Sequence, residues 1–155
     1  MKYNLPNYDV AYFERTAGDQ DEWLNFGEFD RIQAGDKVIY IGWDFLKNAY
    51  NINTAIVLAT GTAIIGGNHK IDFIEFEGDA IPGYSGGPVF NFNGKVIGMI
   101  REAWKKQGIR GGKVMRINRA FSTDLLRVLD SEIITGSVEL DESTINTSLF
   151  QLFSK

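Results

Sequence analysis

Cysteine is absent from the 155 residues, and histidine occurs once, as His69. The first absence excludes a disulfide framework, a thiolate nucleophile and any cysteine-based metal centre. The second excludes every site that needs two histidines, so no metal and no cofactor is expected. Proline is scarce, at three residues, while glycine reaches 17 and aromatics 13%. Together with many β-branched residues this points to short strands and tight turns rather than to a helical bundle. Positive charge is also in deficit, 16 Lys and Arg against 20 Asp and Glu. A net charge of −4 offers no footprint for a nucleic-acid backbone.

The longest run without an acid or a base lies between Lys47 and Lys70. It is broken by Asn48, Asn51, Asn53 and Asn68 and by three threonines and three glycines, which excludes a membrane-spanning helix. The opening Met1-Lys2-Tyr3-Asn4-Leu5-Pro6 has no apolar core of a signal peptide. The expectation is a soluble protein with no membrane partner, the cytoplasm being the compartment that this N-terminus implies. With 44% hydrophobic and 23% charged residues, the chain can bury a core of its own.

About six strands are expected between residues 37 and 117. Lys37–Ile41 is a short apolar run between Ala34-Gly35-Asp36 and Gly42. Ile52–Ile65 and Ile71–Phe76 follow, separated by Gly66-Gly67-Asn68. Within 71–76 the apolar positions switch from 71 and 73 to 74 and 76, which predicts a bulge. Val89–Phe92, Asn93-Gly94 and Val96–Ile100 read as a hairpin, Asn-Gly fitting the positive φ angles of a type I′ turn. A last strand, Val114–Ile117, precedes a helix that Ser122-Thr123-Asp124 can cap and whose Leu125, Leu126 and Leu129 share a face. Upstream, Asp9–Phe13 also reads as a strand.

The segment that carries chemistry is Gly78-Asp79-Ala80-Ile81-Pro82-Gly83-Tyr84-Ser85-Gly86-Gly87-Pro88-Val89-Phe90-Asn91. Gly83 and Gly86 can take φ values closed to other residues, and such a loop can aim successive N–H groups into one concavity. Gly-x-Ser-Gly alone is an ordinary turn before a strand. The extended Gly-x-Ser-Gly-Gly-Pro-Val-Phe-Asn with a hairpin behind it is far more specific.

On these residues, and on Asp9-Val10-Ala11, Gly35–Gly42, Ile71–Glu75 and Gly94–Met99 in the same order, the chain resembles the trypsin-like (chymotrypsin-fold) serine proteases of the bacterial disulfide-free branch. The resemblance implies an all-β fold, with a complete six-stranded antiparallel barrel over 35–118 and a partial first barrel with its connection in 1–34. A C-terminal helix over 119–130 and a tail over 131–155 would follow. It implies Ser85 as nucleophile, the N–H groups of Gly83 and Ser85 as oxyanion hole, and Asp9 as the acid that orients a histidine. Met99, Ile100 and Arg101 would form the edge that pairs with a peptide substrate. Asp79, six residues before Ser85, stands where trypsins carry the buried aspartate of the specificity pocket. Read from the residues alone, it is equally a solvated acid beside Glu77.

The family's general base is a histidine upstream of the acid, and no residue before Asp9 is histidine. His69, 16 residues before Ser85, reads as an exposed residue at a hairpin tip. The resemblance therefore implies a serine endopeptidase whose histidine-bearing part is absent here, inactive as this chain alone. The alternative is a non-catalytic binding module of the same fold. An incomplete first barrel would leave strand edges open, and self-association through residues 1–30 or the Leu149-Phe150 tail is expected.

Overall fold

The computed structural model describes residues 3–5, 10–12, 24–65, 68–107 and 114–126. Strands β1 (Tyr3–Leu5) and β2 (Val10–Tyr12) form an antiparallel pair, with Tyr3 opposite Tyr12. Six further strands close into a barrel: β3 (Lys37–Asp44), β4 (Ala49–Ile65), β5 (His69–Glu77), β6 (Pro88–Asn91), β7 (Val96–Gln107) and β8 (Val114–Ser122). Their order is β3-β4-β5-β8-β7-β6, and β6 returns to β3 through Val38–Tyr40 against Asn91–Val89. Every ladder is antiparallel. The all-β, chymotrypsin-like barrel that the sequence predicts is thus present.

The interior follows from alternation. On β3, Val38 and Tyr40 point inward and Ile39, Ile41 and Trp43 outward. Val57, Ile74, Phe76, Val89, Ile97 and Ile100 meet them, each at most 2% exposed. The Tyr40 and Phe76 rings lie 5.0 Å apart. Residues 24–36 strap this barrel: Gly27 donates to the Val96 carbonyl at 2.8 Å, Gly35 to that of Val57 at 2.8 Å, and Phe29 enters the core.

Three local expectations need correction. The register shift lies on β4 between Val57 and Ala59, opposite Phe76 and Glu75, not within β5. β5 stays in unbroken register with β8 from Phe73↔Phe121 to Glu77↔Ile117, so the extra residue falls on its other neighbour. Ile71, Ile74 and Phe76 are all buried, which is the switch seen in the sequence.

The Asn93-Gly94 hairpin forms, but only Gly94 of the two has a positive φ, at 73°. Gly94 N–H donates to the Asn91 carbonyl at 3.0 Å, and the Asn91 side chain accepts from Asn93 and Lys95 N–H. Asn91 N–H donates to the Lys95 carbonyl at 3.0 Å, so the three residues Phe92 to Gly94 connect that pair and end in a left-handed glycine, which is not a type I′ turn. The Asn91 side chain, which draws the turn's N–H groups to itself, accounts for the difference.

At the other end, β8 continues to Ser122, so the expected helix begins no earlier than Asp124. Thr123 N–H is held by the Ile97 carbonyl at 3.1 Å, and the Ser122 hydroxyl accepts from Asp124 N–H at 3.0 Å.

Closure gives each of the six strands a neighbour on both sides, so open edges on a first barrel would have to come from residues before 24. Of those, only β1 and β2 are described, and Leu129, Leu149 and Phe150 lie outside the described residues. Among the described residues, no helix is long and apolar enough to cross a membrane.

Truncating Phe76 to alanine leaves a void beneath Tyr40 with no exposed surface to collapse from. Phe76→Ala should cost about 3–5 kcal/mol of unfolding free energy, read as a lower urea midpoint at unchanged slope.

Candidate active site

The loop between β5 and β6 is fixed at its entry, middle and exit. At its entry, Gly78 N–H donates to the Arg116 carbonyl at 3.1 Å, and the Asn118 amide donates to the Gly78 carbonyl at 2.9 Å. Tyr40 reaches the same point: burial pushes its phenol up, against the opposing backbone N–H of Asp79. In the middle, Tyr84 is 3% exposed, its ring 6.2 Å from that of Tyr40. It lies over Gly42 of β3, where a Cβ would stand 2.1 Å from the ring. At the exit, Gly86 N–H donates to the Ile100 carbonyl at 2.7 Å, and Ile100 N–H to the Gly87 carbonyl at 2.9 Å.

With Tyr84 drawn inward, its neighbour Ser85 is turned out and exposed. The reversal needs positive φ on either side, +104° at Gly83 and +84° at Gly86. Among the described residues, neither Gly83 nor Ser85 N–H donates to a backbone carbonyl. Two donors in the loop of an exposed serine are therefore not spent on backbone carbonyls.

Gly83 is pressed onto the β3–β4 turn, where a Cβ would come within 2.6 Å of the Trp43 carbonyl. Asp44 holds that turn. Its carboxylate accepts from Leu46 and Lys47 N–H at 3.0 and 3.2 Å and from the Asn51 amide at 3.0 Å, with the Lys47 ammonium at 3.3 Å. Burial alone would raise its pKa, but these donors outweigh it and hold the carboxyl below its ordinary value.

The other expected site residues fare differently. Asp9 lies outside the described residues. Asp79 is exposed, not buried. It lines a cavity of about 310 Å³ with Glu77, Lys105 and Arg116, whereas Ser85 lines the adjoining one, of about 450 Å³. An acid that follows Gly78 while the chain still faces solvent has no cover.

Met99 and Ile100 do not form an open edge. Both are paired with β8, Met99 also faces Pro88 of β6, and Ile100 carries the two bonds to the serine loop. Beyond them, from Glu102 on, β7 pairs only with β8 among the described strands. His69 is not an exposed tip but the half-buried first residue of β5, opposite Ile65. The serine loop leaves the far end of that strand, eight steps or about 26 Å away.

The sequence reading missed the extension of β7 through Gln107 and, with it, Trp104, Lys105 and Arg116. Ala80, Ile81 and Pro82 form one wall of the Ser85 cavity, Ala103 and Trp104 another, and Lys105 and Arg116 its charged side. The available signal was the run Arg101–Gln107 itself, whose charges hide the alternation of an overhanging strand.

Two tests follow from this geometry. Gly42→Ala must displace Tyr84 and should cost about 1–3 kcal/mol in chemical denaturation. Because the folded Asp44 carboxyl sits below its unfolded value of about 3.9, its contribution is complete above that pH and is lost as pH falls through the folded pKa. Asp44→Asn should lower stability at neutral pH, and the gap to the parent should close on acidification below pH about 3.9.

Comparison with known proteins places this geometry among relatives. A family model for the trypsin-like peptidase domain matches residues 2–99. A probable periplasmic serine endoprotease, DegP-like, of Chlamydia trachomatis serovar D is 35% identical over 139 residues, 86% of this chain and 26% of the relative. The protein of the same description in Hahella chejuensis is 32% identical over 132 residues, 84% of this chain and 27% of the relative. The chain thus spans about a quarter of these relatives' length. Among solved structures, the HtrA-type protease AlgW with a decapeptide is similar at a TM-score of 0.56 and 30% identity, over 72% of this chain and 33% of that one. AlgW with a tripeptide gives 0.55 and 34%, over 73% and 36%.

Proposed function

The chain belongs to the trypsin-like peptidase family, and from that membership we propose that it carries the nucleophile side of a serine endopeptidase site. The observation that supports this most directly is the serine loop: an exposed Ser85 between two left-handed glycines, with the N–H groups of Gly83 and Ser85 committed to no backbone carbonyl among the described residues. In this reading the Ser85 hydroxyl attacks the scissile carbonyl and the two N–H groups receive the oxyanion. Collapse of the tetrahedral intermediate expels the amine and leaves an acyl-enzyme, which water then hydrolyses. A peptide substrate adds to the side of β7 away from β8, over Glu102–Trp104 past the last pair with β6, and sets a side chain into the Ser85 cavity. AlgW, which is similar over 72% of this chain, is a protease solved with a decapeptide.

A serine hydroxyl needs a base within about 3 Å to take its proton. His69 is the chain's single histidine and stands at the wrong end of β5. The base is therefore supplied by sequence or by a partner beyond these 155 residues, and Asp9, immediately before β2, orients it. The lack of an imidazole near Ser85 also favours a second reading, a peptide-binding module of the same fold without turnover.

A fluorophosphonate probe separates the two. Residues 1–155 should label no faster than their Ser85→Ala variant, and addition of a histidine-bearing first barrel, in the same chain or as a partner, should restore labelling by at least about 10³-fold. No restoration would favour the binding module. Proteolysis by residues 1–155 alone, abolished by Ser85→Ala, would overturn the need for an outside base.

A further inference from the structure

The charged side of the Ser85 cavity is made of two cations. Lys105 and Arg116 are direct cross-strand partners on β7 and β8, and both line that cavity. Like charges directly opposite one another weaken a sheet. Two other cations of the barrel are matched: Arg119 lies between Glu75 at 2.7 Å and Glu102 at 3.1 Å, and Lys47 meets Asp44 at 3.3 Å. Among the described residues, neither Lys105 nor Arg116 makes an ion pair.

Both cations also line the adjoining cavity, where the exposed Glu77 and Asp79 share the lining without forming an ion pair with them, whereas no acid lines the cavity of Ser85. Arg116 is half-buried, so its charge is screened less than that of an exposed arginine. The opposite walls, Ile81, Pro82 and Trp104 among them, can cover the methylenes of a side chain whose far end meets the cations. At about 450 Å³ the cavity is of ligand size.

Resting on the proposed function, we infer that this cavity takes the residue on the acyl side of the bond to be cut and selects an acidic one, Glu or Asp. The Arg116 guanidinium offers its fork to the substrate carboxylate, and Lys105 adds a second positive charge. An anion between them relieves the repulsion that the pair otherwise carries. This reverses the basic preference that a buried Asp79 would have imposed.

The test needs no turnover. Acetyl-Ala-Ala-X-amides with X as Glu, Gln or Lys are titrated into the 155-residue chain, and binding is read from the NMR amide signals of the Ser85 loop. The terminal amide removes the carboxylate that would otherwise mask the comparison. The Glu peptide should bind about tenfold tighter than the Gln peptide, and the Lys peptide most weakly. The advantage should shrink at high salt, disappear in Arg116→Gln and fall in Lys105→Gln.

Equal binding of the Glu and Gln peptides, a preference for Lys, no binding, or a Glu advantage that survives Arg116→Gln would overturn the inference. The Glu-to-Gln comparison on the parent chain stands even where a variant fails to fold. Failure of the endopeptidase reading looks different: a Glu advantage in binding with no Ser85 labelling in the histidine-supplied form. Labelling and cleavage without any acidic preference would instead retain the peptidase and remove the acidic pocket.

Discussion

The seating of one aromatic ring on one glycine governs the candidate site. Tyr84 occupies space that any side chain at position 42 would need, and it is nearly fully buried there. Because the ring is committed inward, Ser85 faces outward and the glycines at 83 and 86 take up the reversal. The resulting loop is then joined to β7 through Ile100 and to β8 through Gly78. A surface hydroxyl thus inherits the rigidity of the barrel core, which is what positioning a reactive group requires.

The cavity beside it combines parts of different origin. Its apolar wall, Ala80 to Pro82, belongs to the same loop as the serine, whereas its charged side comes from the overhanging ends of β7 and β8. These ends lie past the last contact with β6, so their side chains are spared the packing demands that make the core uniformly apolar. Charge there can vary without disturbing the loop that holds the hydroxyl. In the proposed reading, position and selectivity are thereby carried by separate elements.

The parts of the fold legible in the sequence are those where the alternation is clean and the neighbours are local. Lys37–Ile41, the serine loop and the hairpin around Asn93-Gly94 all stand where the residues indicated. The places that differ depend on what lies alongside. The bulge moved to β4 because β5 is held straight by β8, and the turn type changed because the Asn91 side chain competes for its N–H groups. Of the two readings open for Asp79, a pocket aspartate and a solvated acid beside Glu77, the second is the exposure it has, because burial is a property of the cover above a residue and not of its position in the chain. The charged half of β7 escaped a reading based on apolar runs because its side chains face solvent or the cavity.

The ladder that closes the barrel is short. β3 and β6 share three residue pairs, Val38–Tyr40 with Asn91–Val89, about fifty positions apart in the chain. The β3–β4 and β4–β5 ladders are longer and join consecutive strands, so they can form before the ends of the sheet meet. Loop-closure entropy puts the seam late in folding, after the hairpins that bring its edges together. The serine loop runs directly into β6, and Gly42 lies two residues beyond the last paired position of β3 on that seam. Ser85 is therefore brought into position by the step that completes the barrel, and a chain with an open seam would expose the serine without the loop geometry around it.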